Sequence, residues 1–84
     1  MSSSTALLFR LRVVADGDPG AIARVIERFQ KLNVLPRRVI AEFGINEIIH
    51  IQVDVFGMPE DQLKVIAAKI GSATGIVSAH WHRL

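Results

Sequence analysis

The sequence predicts an α+β sandwich in which two helices pack on one face of a four-stranded antiparallel sheet. Three observations lead to this fold class. Four segments alternate apolar and polar residues with a period of two, as half-buried strands do. Two segments carry apolar residues at the three- and four-residue spacing of amphipathic helices. The segments follow one another in the order βαββαβ, which is the arrangement of the ferredoxin-like sandwich.

The first strand and the first helix are predicted from adjoining apolar patterns. The strand covers residues 6–15, and alternate apolar residues form its inward face: Leu7, Phe9, Leu11 and Val13. The helix covers residues 19–32, and residues at helical spacing form its buried stripe: Ile22, Val25, Ile26 and Phe29. Asn33 is predicted to end this helix in the left-handed conformation, which asparagine tolerates.

A hairpin follows, with strands over residues 34–43 and 47–55 and a turn at residues 44–46. Pro36 cannot donate a ladder hydrogen bond, which places the first of these strands at an edge of the sheet. Its inward face is predicted to consist of Leu35, Val39, Ala41 and Phe43. The inward face of the second strand is predicted to consist of Ile49, Ile51, Val53 and Val55.

The second helix is predicted over residues 59–70 and the last strand over residues 76–83. The helix buries Leu63, Ile66, Ala67 and Ile70, and the strand turns Val77, Ala79 and Trp81 inward. Because strand–helix–strand crossovers are right-handed, strands one and three are expected in the centre of the sheet. The face without helices is predicted to carry Arg10, Arg12, His50, Gln52, Asp54, His80 and His82.

Composition limits the classes of function. The 84 residues predict a disordered tail over 1–5 and a single domain over 6–84. The absence of cysteine excludes disulfides, thiolate metal sites and thiol catalysis. A net charge of +2, with acids and bases interleaved, argues against a nucleic-acid partner. We expect no membrane partner and a cytoplasmic location, because no segment has the pattern of a signal peptide or a transmembrane helix.

The turn at residues 16–22 is the centre of the predicted organisation. Asp18 is placed to cap the helix with its carboxylate, and Pro19 suits the first helical position. Gly17 permits a tight turn, and Gly20 leaves the start of the helix without a side chain. A small carboxylate could therefore reach free backbone N–H groups there. The alternative interpretation is a well-formed strand-to-helix turn with no ligand.

This turn resembles the signature of the ACT domain, a small amino-acid-sensing regulatory module of metabolic enzymes. The resemblance rests on the run Asp18-Pro19-Gly20-Ala21-Ile22-Ala23-Arg24-Val25 directly after the first strand, and it continues through the hairpin. Within the family, the chain looks most like the short regulatory subunit of acetolactate synthase. The resemblance implies a homodimeric, non-catalytic module of branched-chain amino-acid biosynthesis that acts on the catalytic subunit of such an enzyme.

The resemblance also implies an effector site for an amino acid at the turn. Its residues would be Gly17, Asp18, Pro19, Gly20 and Ala21, with Leu35 contributing across a subunit interface. Similar ligand-binding domains carry asparagine at the two positions that correspond to Gly17 and Leu35. Since neither residue has a side-chain amide, we expect feedback by a branched-chain amino acid to be weak or absent.

Other chemistries find less support in the sequence. His80 and His82 share a strand face, as a metal site would require, but no third ligand is assured, so we expect no metal. No nucleophile–base pair or paired carboxylates appear, and we expect neither catalysis nor a cofactor.

An RNA recognition motif has the same element order and is the alternative. That motif stacks bases on aromatics of its central strands, where this chain has Arg10 or Arg12 and His50 or Gln52.

Overall fold

Four strands form one antiparallel sheet. The structure is a computed structural model, and it describes residues 7–84. The strands are β1 (Leu8–Asp16), β2 (Arg38–Phe43), β3 (Ile48–Phe56) and β4 (Ile76–Arg83). Their spatial order is β2-β3-β1-β4, which places β1 and β3 in the centre. The ferredoxin-like sandwich and the edge position of β2 are therefore confirmed. The predicted tail, residues 1–5, lies outside the described residues.

Two helices cover one face of the sheet and enclose the core. They are α1 (Gly20–Lys31) and α2 (Glu60–Gly71). In the core, Phe9 and Trp81 meet edge to face with ring centroids 5.5 Å apart. The large side chains that are fully buried come from β1, β3 and both helices: Phe9, Leu11, Val13, Val25, Phe29, Ile51, Val53, Val55, Leu63 and Ile70. No helix among residues 7–84 is long and apolar enough to span a membrane.

The structure corrects the predicted inward residues at three places. In α1 the buried stripe is Ala21, Val25 and Phe29, so Ile22 lies at its margin and is exposed. In β4 an irregularity opposite Val14 and Ala15 shifts the register. Ile76 therefore packs against the core, whereas Val77 is exposed. The first strand begins at Leu8 instead of residue 6, and Leu7 is exposed.

The helices leave β2 uncovered, which the sequence did not predict. The strand begins at Arg38, four residues later than predicted, and residues 34–37 lead into it without regular secondary structure. Val39, Ala41 and Phe43 lie on the helix side of the sheet, opposite Val53, Ile51 and Ile49 of β3. They are nevertheless exposed, and the Phe43 side chain is 77% accessible. The helix layer thus ends above β3.

Candidate functional site

The turn between β1 and α1 has the capping geometry that the sequence predicts. The Gly20 N–H donates to the Asp18 carboxylate at 3.1 Å, and the Ala21 N–H donates to the Asp18 carbonyl at 2.9 Å. Pro19 has helical dihedrals, with φ −54° and ψ −27°. Asp18 therefore supplies the carboxylate that the free N–H groups of a helix start attract.

The same carboxylate forms an ion pair with Arg24, one and a half helical turns further on. Arg24 Nη2 lies 2.8 Å from Asp18 Oδ2. The hydrogen bond from the Gly20 N–H, and then that from Arg24, hold the pKa of Asp18 below its ordinary value. A Cβ built on Gly20 would lie 3.3 Å from Arg24 Nη2, so the guanidinium lies beside the bare glycine. The chain's own carboxylate and guanidinium thus occupy the place expected for an effector.

Gly17 is held against the connection between β2 and β3. Its N–H donates to the Glu47 carbonyl at 2.7 Å. A Cβ at this position would lie 2.6 Å from the same oxygen and 3.4 Å from the Phe43 ring. Glu47 itself has φ 57°, a left-handed conformation that a residue with a long side chain rarely adopts. The close approach of the Glu47 carbonyl therefore favours glycine at position 17.

Leu35 is not brought to the turn within one chain. It lies with Ile26, Gln30 and Asn33 around a depression beside the C-terminal half of α1, whereas the turn precedes the N-terminus of this helix. Its side chain is 90% exposed, and it precedes β2 instead of lying within it. Asn33 does have the predicted left-handed conformation, with φ 57°. The structure thus brings together Gly17, Asp18, Pro19, Gly20 and Ala21 and leaves Leu35 apart.

The sheet face without helices, which we call the open face, carries a second arginine–aspartate pair. Arg10 Nε lies 2.9 Å from Asp54 Oδ1, and Arg10 Nη2 lies 3.2 Å from Oδ2. This bidentate contact holds the pKa of Asp54 below its ordinary value, although burial opposes that shift, and raises the pKa of Arg10. The sequence placed both residues on this face. It did not predict that Asp54, only 4% exposed, is buried beneath the guanidinium.

The histidines do not form a metal centre within the described residues. No group of three or more His, Cys, Asp or Glu side chains in residues 7–84 is arranged to hold a metal ion. His80 and His82 lie on β4, and β1 separates them from His50 on β3. An RNA recognition motif carries stacking aromatics on its two central strands. At these positions β1 has Arg10 or Arg12 and β3 has His50 or Gln52, as predicted from the sequence.

Two residues at the turn were missed by sequence reasoning. Arg24 was named only as part of the run that follows the first strand, and Glu47 was placed at the start of a strand. The signal for Arg24 was available, because an acidic N-cap lies within reach of a long cation on the second helical turn. No local signal predicts the contact of Glu47 with the turn, because the Gly17 N–H that donates to its carbonyl is thirty residues away in sequence.

Comparisons with solved structures bear on the fold. No protein-family model matches the sequence, and no curated protein matches it either. The C-terminal domain of the MgtC protein from Mycobacterium tuberculosis superposes with a TM-score of 0.78 at 14% identity, over 100% of this chain and 94% of that one. The ACT domain from GTP pyrophosphokinase of Chlorobium tepidum superposes with a TM-score of 0.77 at 17% identity, over 93% and 100%.

A larger enzyme contains a similar unit. A homoserine dehydrogenase from Thiobacillus denitrificans matches 95% of this chain with 18% of its own length, at a TM-score of 0.75 and 17% identity. Likenesses at such low identity show the fold and nothing finer. The chain therefore has the fold of an ACT domain, as the resemblance in its first turn and helix implied.

Proposed function

We propose that this protein is a non-catalytic regulatory module that docks on a larger amino-acid biosynthetic enzyme in the cytoplasm. Acetolactate synthase is the first candidate, because the run from Asp18 to Val25 resembles that of its small regulatory subunit. The observation that carries the proposal is the fold of an ACT domain over the described residues, with the resembling run at its first turn. Regulation requires only that the docked module favour one state of the enzyme.

The proposed module responds weakly to free amino acids. A carboxylate ligand at the α1 N-terminus must displace Asp18 from the Gly20 N–H and from Arg24. An amino-acid effector would contact Gly17, Asp18, Pro19, Gly20 and Ala21, and Gly17 offers it no side chain. Activation by docking survives this loss, because docking depends on the surface of the module and not on the turn.

The module is further proposed to act as a homodimer joined along β2. The Gly44 N–H donates to the Ile48 carbonyl. Along an antiparallel strand, residues whose N–H and C=O groups bond the neighbouring strand alternate with residues whose groups face away from it. The N–H and C=O groups of Phe43, Ala41 and Val39 therefore face away from β3. A second copy related by a two-fold axis at Ala41 would pair Val39 with Phe43 and cover both side chains. The same register brings Leu35 opposite Glu47 of the second copy and hence near its Gly17, where an interface contact from Leu35 is expected.

Calorimetry and enzyme assays test the regulatory proposal. Valine, leucine and isoleucine are titrated into the purified protein, and the protein is then added to the catalytic subunit of acetolactate synthase from the same organism. We expect little heat from any amino acid and a changed synthase activity on addition of the protein. Clear binding of one amino acid would refute the weak response. Unchanged activity together with separate sedimentation of the two proteins would refute the partner.

A pair of matched variants tests the dimer. Val39→Glu places a carboxylate on the proposed interface, whereas Val77→Glu places one at the exposed edge strand β4. Sedimentation equilibrium should give a dimer mass for the natural protein and for Val77→Glu, and a monomer mass for Val39→Glu. A monomeric natural protein, or dissociation by both variants, would contradict pairing along β2.

A further inference from the structure

The open face holds a depression of about 520 Å³, and neither helix covers it. Side chains of all four strands line it, among them Arg12, Val14, Ile40, Glu42, His80 and His82. Small-molecule sites in proteins have volumes of about 300 to 1,000 Å³. The depression lies on the side of the sheet opposite the helices, so the candidate effector turn and the β2 interface do not account for it.

One end of the depression is cationic. This end contains Arg12, which is paired in register with Gln52 on β3 and with His80 on β4. His82 is the next residue of β4 on the same face. Among residues 7–84 the ion pairs are those of Arg10 and Arg24, so the guanidinium of Arg12 is not neutralised by a described acid. Arg12, His80 and His82 thus line the same part of the depression on two neighbouring strands, and the Arg12 charge is not compensated by an ion pair with a described acid.

The other residues that line the depression are apolar beside the cationic end and acidic at the opposite end. Val14 follows Arg12 on the same face of β1, and Ile40 lies on β2 beyond Gln52, so the floor beside the cationic end is apolar. The far end carries the Glu42 carboxylate, paired in register with His50. A carboxylate there repels a second negative group. The depression thus suits a molecule with one anionic end and an uncharged, partly apolar body.

We propose that the open face binds a small organic phosphate, with the phosphoryl group on Arg12, His80 and His82. Guanidinium groups bind phosphate through two parallel hydrogen bonds, and the remaining phosphoryl oxygens face the imidazoles of β4. The uncharged body lies over Val14 and Ile40 and reaches toward Glu42, which accepts a hydrogen bond from an amino or hydroxyl group. This site is independent of the regulatory function proposed above.

NMR titration of the uniformly ¹⁵N-labelled protein tests the site, with adenosine 5′-monophosphate, inorganic phosphate and adenosine as probes. The nucleotide should shift the backbone amides of Arg12, Val14 and His80 at millimolar concentration. Inorganic phosphate should shift the same amides more weakly, and adenosine should leave them in place. Arg12→Gln should weaken nucleotide binding by about tenfold, as expected for the loss of charge-assisted hydrogen bonds. His80→Gln should weaken it in the same direction.

Arg83→Gln is the matched control, because Arg83 lies on β4 with a side chain on the opposite side of the sheet and is exposed. It should leave nucleotide binding unchanged. Several outcomes overturn the proposal: no shift of these amides by the nucleotide, equal affinity for nucleotide and adenosine, or an equal loss in Arg83→Gln and Arg12→Gln. Tighter binding of a single-stranded RNA than of the nucleotide would also overturn it and assign the face to nucleic acid.

Discussion

Two arginine–aspartate pairs of similar length have different surroundings. Arg10 and Asp54 meet at 2.9 Å on the open face, with side chains 24% and 6% exposed. Arg24 and Asp18 meet at 2.8 Å at the turn, with side chains 42% and 44% exposed. Water screens the second pair and scarcely reaches the aspartate of the first. A contact distance alone therefore does not separate a structural ion pair from a displaceable one.

The largest expected effect comes from breaking the pair on the sheet. Asp54→Asn removes the charge that neutralises Arg10 and leaves a partly buried guanidinium without its partner. We expect the free energy of unfolding to fall more than in any of the variants below, because the loss of the buried Asp54 charge leaves the Arg10 guanidinium unpaired. Urea unfolding followed by circular dichroism measures this loss. Glu42→Gln, on the same face but exposed, is the control, and an equal loss in both variants would contradict a special role of Asp54.

The next effect concerns the backbone of the turn. Gly17→Ala places a methyl group 2.6 Å from the Glu47 carbonyl oxygen, and a rotamer change can move neither the Cβ nor this backbone oxygen away. We expect a destabilisation of about 2 kcal/mol in urea unfolding, typical of forced overpacking. Gly20→Ala is the control, because the nearest neighbour of its methyl group is the end of the flexible Arg24 side chain at 3.3 Å, and Asp18 Oδ1 lies at an ordinary contact distance of 3.7 Å. Equal losses would show that the turn is not locked at Gly17.

Acid should act on the sheet pair in a defined direction. The pKa of Asp54 is lower in the folded protein than its ordinary value of 3.8, so the pair stabilises the fold fully above that value. This stability is lost as pH falls below about 4 toward the folded pKa. Urea midpoints measured between pH 6 and pH 3 should therefore fall more steeply for the natural protein than for Asp54→Asn. Parallel curves would contradict the linkage.

The smallest effect is expected at the exposed pair. Arg24→Gln removes the cation that pairs with Asp18, while the hydrogen bond from the Gly20 N–H to the Asp18 carboxylate remains. The urea midpoint should stay within the error of the natural protein, because exposed ion pairs contribute little. Arg28→Gln provides a second charge-matched comparison on the same helix. A loss as large as that of Asp54→Asn would overturn the distinction between the two pairs.

Sequence patterns predicted the fold because each element had its own periodicity and its own end signals. Pro36 indicated an edge strand, and Asp18 with Pro19 marked the start of α1. The exposure of Ile22 and Val77 could not be predicted, since it depends on the rotation of α1 and on the irregular β1–β4 register. Residues 17–21 of the turn were recognised, whereas the ion pair of Arg24 with Asp18 was missed although the sequence carried a signal for it.

The pairing of β1 has a consequence for folding kinetics. This strand lies in the centre of the sheet, but its partners are β3 and β4, and the Leu84 N–H donates to the Leu8 carbonyl. β1 is synthesised before β2, β3 and β4, and its second edge stays unpaired until β4 has been made. Contacts so distant in sequence raise the entropic barrier to folding. The local β2–β3 hairpin can form early, whereas closure of the sheet by β4 is expected late in folding.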